Sequence, residues 1–558
     1  MNLVLPHPIP LPGLTVADAF AAAAARCGDR PAVQVLAETA AIYGIGAGET
    51  SYAQLAARIA RLRAAYAASG YGHGHRVGLL LENRPAFIEH WFALNALGVS
   101  IVPIGADLRA AELEYLVGHS GVAAAGALPQ RHAALRDAAA AAGRPLVISS
   151  DADIETQGLS SPDTAAPDAG RAPDEATECA LLYTSGTTGR PKGCRLSNRY
   201  VRRAGHWYLD LGGHVRLKPG AERMLTPLPL NHVNALAFSV TAMTFSGGCI
   251  VLLDRFHPAS WWDSVRASRA TGLHYLGVMP AMLMKAEPSA RDREHGVRFG
   301  FGAGVDRLLQ APFEARFGFP LLEGWSMTET GAGAVVFAGD EPRAVGSNCF
   351  GREAPGLLVR LLADDGSEVT TDAPGELLVR AAGSDPRDGF FSGYLKDEAA
   401  TAEAWAGDWF HTGDIVRRDA QGLLHFIDRR KNVIRRSGEN ISAVEVESVL
   451  NRHPAVKQVA VAATPDAIRG DEVLACVVTH APLGSAEQAA LAQALQQLAL
   501  EQLAYYKAPG YVVFLDALPL TPSQKIARGE LKALAAQLPA QGGCLDLRAG
   551  KKRQVDSP

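Results

Sequence analysis

The sequence predicts an α/β fold in two unequal parts. A large N-terminal domain of parallel-rich α/β sheets carries a small β-rich subdomain, and a small α+β C-terminal domain follows. Three observations carry this. The chain has 558 residues, more than one hydrophobic core ordinarily holds. Its first half alternates short apolar runs with amphipathic periods of three and four. From about Ala354 that texture gives way to short β-like stretches separated by Gly and Asp turns.

The elements follow in order. Ser51 caps a helix whose apolar face is Tyr52, Leu55, Ile59, Leu62 and Tyr66, and Gly70 ends it. RVGLLLEN is a short strand. Pro85 to Leu97 is a helix with Pro at its start and Gly98 beyond its end. VSIVPI is the next strand and Arg109 to Val117 the next helix. Residues 150–176 lack periodicity and read as a surface connection. The uncharged run Val233 to Leu253 is long enough to span a bilayer, but its hydroxyls and Gly247-Gly248 favour a buried helix, a turn and a strand. LLVRLLA, GELLVRA and GLLHFID supply the β-rich subdomain of residues 354–430. After Lys431 come a strand, the helix Ala443 to Leu450, two long strands and an Ala/Leu/Gln helix. The expected division is a body of residues 1–430, a lid of 431–537 and a mobile tail of 538–558, with Lys551-Lys552-Arg553 as a solvated end.

Composition limits function. Lys+Arg 54 against Asp+Glu 58 leaves a formal charge of -4, which argues against nucleic acid held mainly by charge. Seven scattered cysteines without CxxC spacing fit a reducing compartment, the cytoplasm, and no structural zinc site. The N-terminal MNLVLPHPIPLPGL lacks a basic stretch and is broken by prolines, so it does not read as a secretory signal.

The strongest local signal is YTSGTTGRPKG, Tyr183 to Gly193, directly after the apolar strand ALLY. Glycines let backbone N–H groups turn toward an anion, hydroxyls donate to its oxygens, and Lys192 adds positive charge. That is the chemistry of a triphosphate-gripping loop, although GxxxxGK[ST] is not matched.

With GWSMTET (Gly324 to Thr330), DWFHTGD (Asp408 to Asp414), DRRKNVIRRSGEN (Asp428 to Asn440) and LPLTPSQKIARGEL (Leu518 to Leu531) following in order, nearly the whole chain resembles the adenylate-forming superfamily. That superfamily includes acyl-CoA synthetases, adenylation domains of peptide synthetases and beetle luciferases. EARFGFPLLEGWSMTET and IRGDEV are most similar to the carnitine/crotonobetaine-CoA ligase branch. The resemblance implies an AMP-forming acid–thiol ligase using ATP, Mg²⁺ and coenzyme A. A carboxylate attacks the α-phosphate, and a thiol then displaces AMP.

It also implies roles. Thr184, Ser185, Gly186, Thr187, Thr188, Gly189 and Lys192 would hold the β- and γ-phosphates. Thr328 would touch the α-phosphate and Glu329 would hold Mg²⁺. Gly302, Ala303, Gly304, Glu323, Gly324 and Trp325 would enclose the adenine, and Asp414 with Arg429 would take the ribose. Lys525 would be the catalytic cation, Lys431 the hinge of a mobile small domain, and Ser437, Gly438 and Glu439 the CoA channel. Arg435 and Arg436 are either surface CoA contacts or solvated arginines. His232 is either a structural histidine or the wall between acyl and thiol channels; Asn234, Phe238 and Met327 are further acyl-pocket candidates.

This chain departs from the pattern at Trp325, Ser326, Lys431 and Gln524, the last standing where Gly usually precedes the catalytic lysine. Gln524 keeps open a nucleotide-binding protein without turnover, and a carrier-protein thiol in trans stays open beside CoA. The expected partners are a small carboxylic acid, ATP and CoA, with no nucleic acid and no membrane span. Monomer and homodimer both fit the sequence.

Overall fold

The computed structural model describes residues 15–551 apart from 109, 158, 185–190, 340, 370, 430–431, 437–438, 467–468, 504, 522–524 and 540. For 155–157, 435, 439 and 440 it describes the backbone and not the side chain.

The body is built on three sheets. The first runs Val147–Ser149, Ala124–Ala127, Arg76–Leu80, Ser100–Pro103, Glu178–Thr184, Lys192–Ser197. All its pairs are parallel except the last, the hairpin that carries the phosphate-loop motif. The second, eight-stranded sheet has parallel pairing through its centre and one antiparallel pair at each edge. The third is a five-stranded antiparallel sheet, Cys349–Arg352 to Leu423–Arg429. The β-rich region therefore opens a few residues before Ala354.

The sequence signals act through local physics. Ser51 and Gln54 form a reciprocal capping box on the helix Tyr52–Ala68, and the five predicted apolar residues of that helix are its buried face. The run Val233 to Leu253 folds into the π-helical turn Asn234–Val240, the helix Thr241–Ser246, a left-handed Gly247 and the strand Cys249–Leu252. Among the described residues no helix is long and apolar enough to cross a membrane. All seven cysteines are free.

Two sheets of the body are joined by one buried amide. Asn83 follows the strand Arg76–Leu80 and is 3% exposed. Its Nδ2 donates to the carbonyls of Leu228 (3.1 Å) and Leu253 (2.8 Å), and its Oδ1 accepts from the Leu230 N–H (2.8 Å). Glu82 reaches this point with φ +57°, a conformation that costs a non-glycine residue about 1 kcal/mol. Two of these hydrogen bonds fix the PLPLNH loop that carries His232, and the third ties it to the end of the strand Cys249–Leu252.

Two sequence expectations change here. Within 150–176, Asp151–Gln157 is a helix, and the Asp151 carboxylate accepts from Nε2 of the buried His90 at 2.9 Å. The segment is anchored to the core because His90 needs a polar partner. The tail is not a solvated end as far as Lys551. Leu545–Asp546 pairs with Val512 and Tyr511, and Lys551 is buried against Glu472. A tail strand satisfies an otherwise open sheet edge. Residues 552–558, including Lys552 and Arg553, lie outside the described residues.

The C-terminal unit packs Ala443–Leu450, Ser485–Gln502 and Arg528–Gln537 around a mixed sheet that includes Val456–Asp466 and Gly470–Thr479. Asp428 ties this unit to the body. Its Oδ2 accepts from the Ala443 N–H (2.9 Å) and the Ser442 hydroxyl (3.2 Å), at the start of the helix Ala443–Leu450. Ser448 adds a hydrogen bond to Asp306 at 2.7 Å.

Asn83→Ala should lower the stability of the body by about 2–4 kcal/mol, because two carbonyls and one N–H lose their partner in the interior. Thermal unfolding of the two proteins side by side measures it, and an unchanged midpoint would remove Asn83 as the clamp.

Candidate functional site

The site forms where the C-terminal ends of the central strands meet the antiparallel sheet. The strand Phe299–Ala303 ends in Gly302-Ala303-Gly304. A Cβ on Gly302 would lie 2.2 Å from the Tyr275 carbonyl oxygen, so the wall there is bare backbone. Gly304 adopts φ +77°. Glu323 fastens this loop from the next strand. Its carboxylate accepts from the N–H groups of Gly304 (2.8 Å) and Val305 (3.2 Å) and from the Tyr275 hydroxyl (2.5 Å). Burial still holds its carboxyl above the usual range, which the three donors only partly offset. The Glu323 side chain is thus turned to shaping the loop.

Two residues on, Trp325 is buried, and its indole N–H donates to Asp414 Oδ2 at 2.8 Å. Asp414 is 1% exposed on the strand Phe410–Arg418 and pairs in register with Arg429, whose Nε lies 2.5 Å from Asp414 Oδ1. The motif residues Trp325, Asp414 and Arg429 therefore converge on one carboxylate.

A second cluster surrounds Glu329, 7% exposed. The Tyr394 hydroxyl donates to Glu329 Oε1 at 2.9 Å, and Lys192 Nζ lies 4.8 Å from the centre of the Tyr394 ring. Cys194, fully buried, meets Tyr394 through a β-bridge and reaches Thr184 Oγ1 at 4.0 Å. Burial and the Glu329 charge push the Cys194 thiol far up, so it stays protonated. The Thr328 carbonyl accepts from the Tyr200 hydroxyl at 2.8 Å. Gly331 lies beneath that ring with φ +49°, and a Cβ would sit 2.2 Å from a Tyr200 ring atom.

A third group joins the two domains. The Lys525 charge is close enough to His232 to act on it. Burial, then Lys525, lower the imidazole to about 4, leaving it neutral at pH 7. Although Lys525 exposes much of its surface, its ammonium is held below the ordinary lysine range, by desolvation and then by the Arg429 charge. The turn before it is closed at both ends: the Thr521 N–H donates to the Lys525 carbonyl (2.7 Å), and the Lys525 N–H donates to Thr521 Oγ1 (3.2 Å).

The family comparison agrees with this convergence. Residues 20–395 match the AMP-binding enzyme family and residues 445–525 its C-terminal domain. The chain belongs to the AMP-binding enzyme family. It is 32% identical over 491 residues to the sulfoacetate–CoA ligase of Cupriavidus necator, covering 86% of this chain and 92% of that one. It is 30% identical over 509 residues to the crotonobetaine/carnitine–CoA ligase of Shigella flexneri, covering 86% and 93%. The o-succinylbenzoate CoA synthetase of Bacillus subtilis, solved with its acyl-adenylate intermediate, shares the fold with a TM-score of 0.76 at 24% identity, covering 94% of this chain and 99% of that chain.

In this AMP-binding enzyme the acyl-pocket candidates sit on the π-helical turn Asn234–Val240 and beside it. Phe238 meets Trp207 edge-on, centroids 5.6 Å apart, and Trp207 also meets Phe337 at 5.8 Å. The Ser239 hydroxyl donates to the Asn234 carbonyl (3.0 Å) and contacts His274 Nδ1 (2.9 Å), while His274 Nε2 contacts the Tyr208 hydroxyl (3.2 Å). A buried polar chain therefore supports Asn234. Met327 is partly buried against the core.

Among the described residues there is no group of three or more His, Cys, Asp or Glu that could hold a metal ion. A Mg²⁺ held by Glu329 would therefore share its coordination with phosphate oxygens, which suits a hard cation that keeps oxygen ligands. The Glu329 carboxylate next to Lys192 is a donor of the right type.

Several sequence candidates lie outside the described residues: Ser185, Gly186, Thr187, Thr188, Gly189, Lys431, Ser437, Gly438 and Gln524, together with the Glu439 side chain. Arg436 is corrected. It is neither a surface CoA contact nor solvated, but 3% exposed and bound to the buried Glu472 at 2.9 Å. Sequence reading missed Tyr394, Tyr200, Tyr275 and Asn83. Tyr394 stands in FFSGYLKD, whose only signal is a run of aromatics around a glycine turn.

Trp325→Phe keeps a ring but removes the donor to Asp414. The KM for ATP should rise about tenfold, the lower end for one hydrogen bond to a charged group, with the KM for the acid unchanged. Steady-state kinetics in both substrates decides it, and equal shifts in both would refute the assignment.

Acid should destabilise the body. His232 is lowered to about 4 and His274, by burial, to about 3, against 6.5 for the free side chain. The unfolded chain binds these protons first, so stability is present above pH 6.5 and declines as pH falls toward 4. His274→Gln should remove ~1 proton from the uptake on unfolding. A pH series of urea midpoints with an unchanged slope would contradict this.

Proposed function

We propose an ATP-dependent carboxylic acid–CoA ligation in two halves, giving an acyl-adenylate and pyrophosphate, then acyl-CoA and AMP. The observation that carries it is electrostatic: the charge of Lys525, from the C-terminal unit, acts on His232 and is acted on by Arg429, both of the body. A cation at that point opposes the repulsion between a carboxylate and the α-phosphate as they are forced together. The residues that match the family motif take the roles the resemblance implies. Thr184 and Lys192 carry the outer phosphates, Thr328 the α-phosphate, and Asp414 with Arg429 the ribose. Trp325, Gly302, Ala303, Gly304, Glu323 and Gly324 enclose the adenine. Bound Mg²⁺ would neutralise phosphate charge.

The same reading divides the chain near residues 430–431, with Lys431 as hinge and Ser437, Gly438 and Glu439 toward the thiol. The relatives that act on sulfoacetate and on crotonobetaine or carnitine support a small polar acid. Neutral His232, with Asn234, Phe238 and Met327, faces it. CoA is preferred to a carrier-protein thiol because both curated relatives are CoA ligases along most of their length. The free cysteines support a reducing compartment, the cytoplasm.

An acid panel with ATP, Mg²⁺ and CoA should release pyrophosphate and AMP for at least one acid; ATP bound without either product would mean a nucleotide-binding protein without turnover. Lys525→Met should slow adenylation roughly 10²–10³-fold and leave thioester formation from supplied acyl-adenylate nearly intact. Wild-type adenylation should fall on the alkaline side earlier than an ordinary lysine would allow, since the cation is lost as pH rises through a lowered pKa. Equal loss of both halves in the variant would count against this role.

A further inference from the structure

The last described residues fold back onto a buried charge cluster that nothing in the adenylation site uses. Glu472, on the strand Gly470–Thr479, is fully buried. Its carboxylate meets Arg436 Nε (2.9 Å), Arg469 Nη1 (3.4 Å) and Lys551 Nζ (2.5 Å). Lys551 has no exposed side-chain surface and also donates to the Tyr506 carbonyl at 3.1 Å.

The tail is led to this point by several ties. Leu545 and Asp546 pair with Val512 and Tyr511. The Leu547 N–H donates to the Gly510 carbonyl (2.8 Å), and Arg548 meets Asp466 at 3.0 Å. Gln496 donates to the carbonyls of Pro509 (2.7 Å) and Leu547 (2.8 Å). Gly550 passes so close to Gln496 that a Cβ would lie 2.3 Å from its Oε1. Gly510 closes over Glu472, where a Cβ would lie 2.5 Å from its Cδ. Burying a lysine is expensive unless it is paired, so such placement is specific. Burial lowers Lys551 to about 8 even with Glu472 beside it.

What the cluster holds gives its meaning. Arg436 ends the strand Ile434–Arg436 and pairs in register with Glu439, which opens the strand Glu439–Ile441. It also pairs with Gly470. Glu439 is a thiol-side candidate whose backbone is described. We propose that Lys551 is a positioning residue for the thioester half-reaction: it fixes Glu472, which fixes Arg436 and, through their backbone pairing, Glu439, the residue that the ligase reading puts toward the thiol. This rests on the ligase reading above. Lys551 lies beyond residue 525, where the match to the C-terminal family domain ends.

Lys551→Met is the test, with Lys551→Arg as the conservative variant, both in the full chain. Pyrophosphate release from ATP and acid without CoA reads the first half. Conversion of supplied acyl-adenylate with CoA reads the second. Lys551→Met should lower kcat/KM for CoA about tenfold, the size of one charge-assisted hydrogen bond, with the first half unchanged. Lys551→Arg should restore most of it. No change in either half, equal loss in both, or a lowered melting temperature without a CoA effect would overturn the proposal. Wild type that releases pyrophosphate with its acid yet forms no CoA thioester would overturn the ligase reading, and this one with it.

Discussion

Two consecutive residues at the end of one strand set the geometry of the whole molecule. Adjacent side chains on a strand point to opposite faces. On Leu423–Arg429 this sends Asp428 to the start of the helix Ala443–Leu450 and Arg429 to Asp414. One residue ties the C-terminal unit to the body, alongside the Ser448–Asp306 hydrogen bond, and its neighbour pairs with Asp414. Asp428 is 1% exposed, and burial raises its carboxyl although Arg528 and several donors oppose the shift. A buried acid with such partners is strongly directional: it accepts bonds only where its two oxygens point. Adjacent residues of one strand therefore serve the interface with the C-terminal unit and the Asp414 cluster.

The site is otherwise assembled from carboxylates that already hold hydrogen-bond or ion-pair partners. Asp414 has Trp325 and Arg429, Glu329 has Tyr394, and Glu323 has Tyr275 and two backbone donors. Preorganised partners of this kind keep donors and acceptors in place without reorganisation during reaction. Lys525 differs. It comes from the other unit, and the Arg429 charge acts against its protonated form, after desolvation. Arg429 is already paired with Asp414, so Lys525 is the cation of this group that no carboxylate neutralises among the described contacts.

Much of this was readable in the sequence because it is local or repeats with a fixed period. The capping box of Ser51, the apolar face Tyr52 to Tyr66 and the helix Ala443–Leu450 depend on neighbours within a few residues. The motif residues Trp325, Glu329, Asp414, Arg429 and Lys525 were visible as strings. Their partners were not. Tyr394 meets Glu329 from 65 positions away, Asn83 meets Leu253 from 170, and Lys551 meets Glu472 from 79. Periodicity reports that a residue is buried, not which distant backbone it satisfies. The tail was misread for that reason: a short basic string looks solvated until a buried carboxylate claims one of its lysines.

The bare-backbone crossing at the end of the central strands has an evolutionary consequence. A Cβ on Gly277 would lie 1.6 Å from the Gly304 carbonyl oxygen, and one on Gly302 2.2 Å from that of Tyr275. Neither position can accept a larger residue without moving a main chain, so this wall is closed to drift. The π-helical turn Asn234–Val240 is constrained differently, by buried side-chain packing and by the Ser239–His274 hydrogen bond. A substitution there meets side chains, whereas one at Gly277 or Gly302 has to displace the main chain itself.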